Sequence, residues 1–240
     1  MRRRTETNPH LAERLRRNPF LRFLANPPLV CAVGRKARLR RFVASLPEGP
    51  VLNAGAQREV LGPRIINLDI ALLPGVGLVG DAHRLPVGTE SLAGVICTGV
   101  LEHVADERRV VAEFLRCLKP GGGIYVETPF LQGYHPDPTD YRRFTLEGIR
   151  ALLSRFEEVE AGTGHGPASA WVWVTSELLA SPFGWYPLQV AVRSLVGWIL
   201  SPVRFLDALL LRRPHAHRAA SGFYFLGVKP SVPFDRLRAR

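Results

Sequence analysis

The sequence predicts an α/β chain with a doubly wound, mostly parallel sheet, and three observations predict it. Short apolar or β-branched runs alternate with stretches of helical spacing from Val51 to Ala161. Several runs end in an acid or in small residues, which suits the carboxyl ends of parallel strands, where ligands bind in such folds. A Lys119-Pro120-Gly121-Gly122 stop separates one helix from a buried strand. With 240 residues and 46% hydrophobic content, the chain can bury one sizeable core and carry an elaboration.

Residues 1–47 mix Leu11, Leu15, Phe20, Leu21, Phe23 and Leu24 with Arg14, Arg16, Arg17 and Arg22, and Asn18-Pro19 and Asn26-Pro27-Pro28 divide them. They read as a basic amphipathic arm that packs on the core or touches a membrane surface, with packing favoured. Arg16-Arg17 stands one residue out of place for a twin-arginine leader, Arg22 interrupts the apolar stretch and no cleavage site follows, so no signal peptide is expected. Strands are predicted at Val51 to Ala54, Ile65 to Ile70 and Leu92 to Cys97. Val110, Val111, Phe114, Leu115 and Leu118 predict a helix over 106–118 with Asp106 near its start. A buried strand at Ile124 to Thr128, a helix at Leu146 to Phe156 and a weaker strand at Glu157 to Ala161 follow, and Gly222 to Val228 forms the last strand.

The formal charge of +11 comes almost wholly from arginine, which suits phosphates or anionic lipid headgroups, although a codon bias toward arginine explains it equally well. Cys31, Cys97 and Cys117 are an odd set without metal-ligand spacing, so no disulfide framework and no metal site are expected, and a reducing cytoplasm fits. Asn26-Pro27-Pro28-Leu29 has the look of a nucleobase amino-methylation motif. It precedes the first strand instead of following the fourth, and nucleic acid is not an expected partner.

Between Val79 and Val104 the chain reads Gly80-Asp81-Ala82, Leu85-Pro86 and Leu101-Glu102-His103-Val104, and Leu118-Lys119-Pro120-Gly121-Gly122 follows. In that order these segments resemble the class I S-adenosylmethionine-dependent methyltransferases, in particular the small-molecule, type 11-like branch. The resemblance covers roughly residues 50 to 162. It implies a Rossmann-like seven-stranded sheet, a methyltransferase domain over 48–162 and 221–240, and S-adenosylmethionine as cofactor.

Small residues in a strand-to-helix turn let the backbone approach a ligand, which Asn53, Ala54, Gly55 and Ala56 would do for the methionine part of the cofactor. Here the family's glycine-rich motif departs from pattern, with Asn53 where an acid is usual and Gln57 where a second glycine is expected. Asp69 ends the second strand, where a carboxylate can take two hydrogen bonds from vicinal ribose hydroxyls. The resemblance gives it that role, sets Ile70 beside the adenine, and brings Asp81 and Ala82 to the adenine edge. Capping a turn is the other reading of Asp81. Only fourteen positions separate Gly55 from Asp69 and no G-x-G-x-x-G is present, which argues against a nicotinamide enzyme.

Methyl transfer from a sulfonium is an in-line displacement whose leaving group needs no proton, so a general base is optional. Thr98 and Gly99 follow the central strand and should face the methyl donor. His103 is a candidate base or a packed structural histidine. The loop from Gly133 to Thr145 is similar to an "HP.P.DY.R.T" segment of methyltransferases from envelope and glycan gene clusters. It offers His135 as base, Asp140 as acceptor and Tyr141 as donor, or else Asp140 and the arginines pin the loop while Thr145 caps the next helix.

Residues 163–220 form an apolar insertion before the last strand and hold Trp171, Trp173, Trp185 and Trp198, all four tryptophans of the chain. Neither uncharged run reaches the ~20 residues a spanning helix needs, so a lid, a homodimer interface or a hairpin lying in one leaflet of an anionic membrane are the readings. The expected function is O-methylation of a small, glycan-related or lipid-linked acceptor, by a cytoplasmic enzyme that can sit on the inner face of the cell membrane. The alternative is a non-catalytic membrane-associated binding protein on the same fold.

Overall fold

In this computed structural model the described residues are 18–57, 61–136 and 138–231. Residues 1–17 of the predicted arm, including Leu11, Arg14 and Leu15, lie outside them, as do Asp137 of the 133–145 loop and the C-terminal residues 232–240. The described chain packs as two units. One holds residues 34–130, 134–164 and 222–231, and the other holds 18–33, 131–133 and 165–221.

Among the described residues, seven strands form the sheet of the first unit in the order β3-β2-β1-β4-β5-β7-β6. They are β1 (Val51–Ala54), β2 (Ile65–Asp69), β3 (Leu78–Val79), β4 (Leu92–Thr98), β5 (Leu118–Pro129), β6 (Glu157–His165) and β7 (Gly222–Val228). β1 runs parallel to β2 and β4, β2 to β3, and β4 to β5, whereas β7 runs antiparallel to β5. The predicted α/β class and mostly parallel sheet are what the structure shows.

Alternation along these strands builds a core on each face. Leu52, Ala54, Val95, Cys97, Ile124, Val126 and Phe225 share one face with Val110, Val111, Phe114 and Cys117 of an amphipathic helix, Glu107–Cys117. That helix starts where expected: the Asp106 side chain accepts from the Arg109 N–H at 3.0 Å. It ends by running straight into β5 at Leu118, so β5 begins six residues before the predicted Ile124. Proline and glycine at 120–122 predict a stop, but the strand passes them as an irregularity between its pairs at Leu118 and Gly123. Val51, Ile96, Tyr125, Tyr224 and Leu226 line the opposite face under Leu39 and Phe42 of the helix Arg35–Ser45. The helix Leu146–Leu152, shorter than predicted, is capped by Thr145, whose Oγ1 accepts from the Gly148 N–H at 3.0 Å.

The second unit is helical, with helices at Pro19–Ala25, Pro167–Ala180 and Tyr186–Leu200, then short turns to Ala219. Its anchor is Asp207, which is fully buried and accepts from the N–H groups of Gly166, Ala168 and Ser169 and from the Ser169 hydroxyl. A carboxylate at the start of Pro167–Ala180 satisfies donors that a helix otherwise leaves orphaned. The indole N–H of Trp198 donates to the Leu24 carbonyl at 2.9 Å, and the Trp198 ring lies 4.7 Å from that of Phe23. No described helix is long and apolar enough to cross a membrane.

The turn after β1 leaves no room for a side chain. Gly55 has φ +69°, and a Cβ there would stand 2.2 Å from Val100 Cγ2. Gly55→Ala should therefore cost about 2–4 kcal/mol, combining left-handed backbone strain with overpacking. Chemical denaturation of the variant measures this, and unchanged stability would mean that the turn is not as tight as described.

Candidate active site

Strand register assembles the site. Ala54 pairs with Leu68 of β2 on one side and with Cys97 of β4 on the other, so the residues that follow, Gly55, Asp69 and Thr98, stand side by side at the carboxyl ends. Asp69 in turn pairs with Val79 of β3, and its carbonyl accepts from the Gly80 N–H at 3.0 Å, with Asp81 next in the chain. The structure thus brings Gly55, Asp69 and Asp81 to three adjacent strand ends.

Asp69 is buried, and its two oxygens are held by backbone donors: Oδ2 by the Gln57 N–H at 2.8 Å and Oδ1 by the Ala71 N–H at 3.0 Å. A carboxylate has about four acceptor sites, so each oxygen keeps capacity for a ribose hydroxyl. Gln57 has φ +48°, in the left-handed region where glycine is at ease. The backbone shape of a glycine-rich turn persists here with a side chain in place, at a strain of about 1 kcal/mol. Ala56 is buried, and its N–H donates to the Leu68 carbonyl at 3.0 Å.

Asn53 lies within β1, buried, and its Nδ2 donates to Asn67 Oδ1 at 3.1 Å, while Asn67 Nδ2 donates to the Gly75 carbonyl. Its amide ties β1 to β2. Ile70 is 70% exposed directly beyond Asp69, an apolar side chain at the strand end that an adenine ring could cover. Asp81 caps the turn Ala82–Arg84 and takes both the His83 N–H (2.9 Å) and His83 Nδ1 (2.7 Å) on Oδ1. The His83 backbone N–H leads in holding its carboxyl below the usual aspartate value, helped by the imidazole and opposed by partial burial. Ala82 packs partly buried against the core. A tight glycine turn, a preset carboxylate and an exposed isoleucine fit an adenosyl group, with Gly55, Asp69, Ile70 and Asp81 as the residues to hold it.

Beside this stands a second group. Thr98 ends β4, and its Oγ1 accepts from Arg35 Nη2 at 3.4 Å; Gly99 turns at φ +66°, and its N–H donates to the Glu127 carbonyl. Three residues on, Glu102 is 2% exposed. Its Oε1 lies 3.9 Å from Nε2 of His103 and 3.9 Å from Nε2 of His135, and the two imidazoles meet edge-on at 5.3 Å. His103 Nδ1 lies 2.6 Å from the Thr139 carbonyl, to which it must donate, so Nε2 is the lone-pair nitrogen of the neutral ring.

Asp140 accepts from the His135 N–H at 2.9 Å and pairs with Arg143, whose Nη2 reaches Oδ2 at 2.7 Å and lies 3.2 Å from His135 Nδ1. Burial opposes the charge of Asp140, but Arg143 and the His135 N–H outweigh it and hold the carboxyl below its ordinary value. Asp140 therefore pins the loop that presents His135. Tyr141 contributes its backbone N–H to the Glu102 carbonyl at 2.8 Å; its ring is exposed, with the Arg142 guanidinium 5.9 Å from its centre.

Glu102 was missed by sequence reasoning, although it adjoins His103. Its signal was tertiary, since His135 lies 33 positions away. Also unread was the buried set around Glu127, which pairs with Arg35 at 2.9 Å and accepts from the Tyr125 hydroxyl. Burial pushes the Tyr125 hydroxyl up, with the Glu127 charge adding to it.

A methyltransferase domain family matches residues 60–126. A demethylmenaquinone methyltransferase from Renibacterium salmoninarum is 25% identical over 210 residues, covering 77% of this chain and 88% of that one. A phosphoethanolamine N-methyltransferase 2 structure from Haemonchus contortus superposes with a TM-score of 0.54 at 17% identity, over 94% of this chain and 58% of that one. An S-adenosylmethionine-dependent methyltransferase from Archaeoglobus fulgidus gives 0.51 at 17% identity, over 81% and 93%. The [4+2]-cyclase SpnF gives 0.50 at 15% identity, over 82% and 81%, so the fold extends to a cyclase. Motif order, strand order and the matched domain together support a class I S-adenosylmethionine-dependent methyltransferase, with S-adenosylmethionine as methyl donor.

Proposed function

We propose that the enzyme methylates an oxygen of a small, lipid-linked or glycan-related acceptor, and that the Glu102, His103 and His135 cluster forms the acceptor side of the site. The single observation behind this reading is the position of that cluster. It follows Thr98-Gly99 at the end of β4, the central strand beside the cofactor turn, and it sets two imidazoles and a carboxylate within 4.8 Å of one another. S-adenosylmethionine supplies a methyl group activated on a sulfonium. What remains for the chain is to hold an acceptor oxygen in line and to manage its proton. Asp140 and Arg143 serve as positioning residues, because they fix the backbone and ring of His135.

The helical unit supports an apolar or lipid-linked acceptor. Trp171, Val174 and Leu178 are exposed at helical spacing, as are Leu195 and Ile199 on the next helix and Phe205 and Leu209 beyond it. Arg212 and Arg213 follow, and the Arg204 guanidinium covers the Phe205 ring at 4.6 Å. Exposed apolar side chains with arginines close by in the chain suit the headgroup zone of an anionic bilayer, which the protein would meet peripherally.

Two outcomes test the proposal. With methyl-tritiated S-adenosylmethionine and a detergent-solubilised bacterial lipid extract, label should enter the lipid fraction, and His135→Ala should cut the rate about 100-fold or more while S-adenosylhomocysteine binds as before. Equal rates would remove His135 from the acceptor side, and label confined to water-soluble products would exclude a lipid-linked acceptor. In flotation with phosphatidylglycerol-containing vesicles the protein should rise with the lipid, and Arg212→Glu with Arg213→Glu should reduce that fraction several-fold. Protein left at the bottom with such vesicles would contradict membrane contact.

A further inference from the structure

We infer that the helical unit sinks into one leaflet of an anionic bilayer. Phe20 and Phe23 of the helix Pro19–Ala25, with Leu195 and Ile199 of the helix Tyr186–Leu200, reach the acyl chains. This rests on the membrane contact proposed above and deepens it from headgroup contact to insertion through named helices.

Side chains in this unit are distributed the wrong way round for water. A helix of a water-soluble protein turns its large apolar residues toward the core. The helix Tyr186–Leu200 does the opposite: its buried residues are Ser194 and Gly197, whereas Leu195 and Ile199, one turn apart, are 63% and 65% exposed. Pro167–Ala180 repeats the pattern, since alanines and serines make up all of its buried residues except Val172, and Trp171 and Leu178 are exposed. Small residues at the contacts let helices approach closely, which is how helices pack where lipid surrounds them. A single exposed leucine means little, but a unit that keeps small side chains within and turns large ones out is shaped for an apolar surrounding.

The helix Pro19–Ala25 shows this most strongly. Of its seven residues only Ala25 is buried, and Phe20 and Phe23 are 66% and 59% exposed. Polar contacts with Tyr186–Leu200 hold it: the Ser194 hydroxyl donates to the Ala25 carbonyl at 3.1 Å, and the Trp198 indole N–H donates to the Leu24 carbonyl at 2.9 Å. At the other end Asn18 Oδ1 accepts from the N–H groups of Phe20 and Leu21 at 3.0 and 3.2 Å. Backbone groups that a helix leaves orphaned are therefore met by side chains at both ends, as entry into lipid requires.

Charge decides what covers this surface. The described residues of the unit carry six arginines, Arg22, Arg193, Arg204, Arg212, Arg213 and Arg218, against two carboxylates. Asp207 is buried and accepts from backbone N–H groups, and Glu177 lies 3.5 Å from Arg193, so neither offers charge to a partner. A second copy of the chain would bring arginine against arginine. Anionic headgroups supply the missing charge, and arginine stems are long enough to reach them while apolar neighbours go deeper. The two longer helices have 14 and 15 residues. At 1.5 Å per residue they run roughly 21 and 23 Å, short of a ~30 Å hydrocarbon core, so the unit lies in one leaflet.

The test uses the full-length protein and vesicles of phosphatidylglycerol and phosphatidylcholine whose acyl chains carry bromine, a contact quencher of tryptophan. All four tryptophans of the chain lie in this unit, so their emission reports on it. Emission should be quenched when the vesicles are added, and the protein should still float with them in about 1 M NaCl, where headgroup contacts alone are screened. Phe20→Ser with Phe23→Ser, and separately Leu195→Ser with Ile199→Ser, should each weaken partitioning about tenfold or more, with thermal melting and S-adenosylhomocysteine binding unchanged. Protein that floats at low salt, is stripped at about 1 M NaCl and shows no quenching would overturn insertion and leave peripheral contact standing. Protein that never floats would end both. Folded variants that partition like the wild type would also overturn the inference. So would a lipid-free dimer that Phe20→Ser with Phe23→Ser dissociates, since a second copy would then cover the face.

Discussion

The pairing of β1 between β2 and β4 is the constraint on which everything else depends. Because Ala54 sits in register with both Leu68 and Cys97, three chain segments leave the sheet at one level, and Gly55, Asp69 and Thr98 become neighbours without further instruction. The strands are buried on both faces, so a slip by one residue would turn Leu52 and Ala54 out of one core and Val51 out of the other. Burial energy thus sets the register, and the register brings Gly55, Asp69 and Thr98 to one edge of the sheet.

The same economy governs the loop after β5. One buried carboxylate, Asp140, draws the His135 N–H and the Arg143 guanidinium to itself, and Thr139 supplies the carbonyl that orients His103. Both histidines are then turned toward Glu102 at the end of β4. Groups that the chain keeps 32 and 33 positions apart come within 4.8 Å of one another, brought there by a loop with almost no regular structure.

Much of this was legible in the sequence. Val51 to Ala54 and Gly222 to Val228 were found to the residue, because β-branched and apolar runs bounded by Pro50 and by Ser221 with Gly222 leave little choice. Asp106 announced its helix by its capping chemistry. The start of β5 was placed late because Pro120 and Gly121 read locally as a stop, while the strand starts at Leu118, passes them as an irregularity and resumes its pairing with β4 and β7 at Gly123. Asp69 at the end of β2 and Asp81 just past β3 stand where the sequence led one to expect, because an acid at a strand end is a local signal. Glu102 was not foreseen, since nothing in Leu101-Glu102-His103 shows that the glutamate turns inward and the histidine toward a distant loop. Gln57 taught the opposite lesson: a motif that has lost its glycine in sequence keeps the left-handed turn in structure.

The central claim is that Gly55, Asp69 and Asp81 surround one adenosyl ligand. Calorimetric titration of S-adenosylhomocysteine into the wild type and into Asp69→Asn, which preserves the side chain's shape, tests it most directly. The account predicts micromolar binding to the wild type and an affinity about tenfold or more weaker in the variant, the loss of one charge-assisted pair of hydrogen bonds. No heat of binding in the wild type, or equal affinity in both proteins, would contradict it.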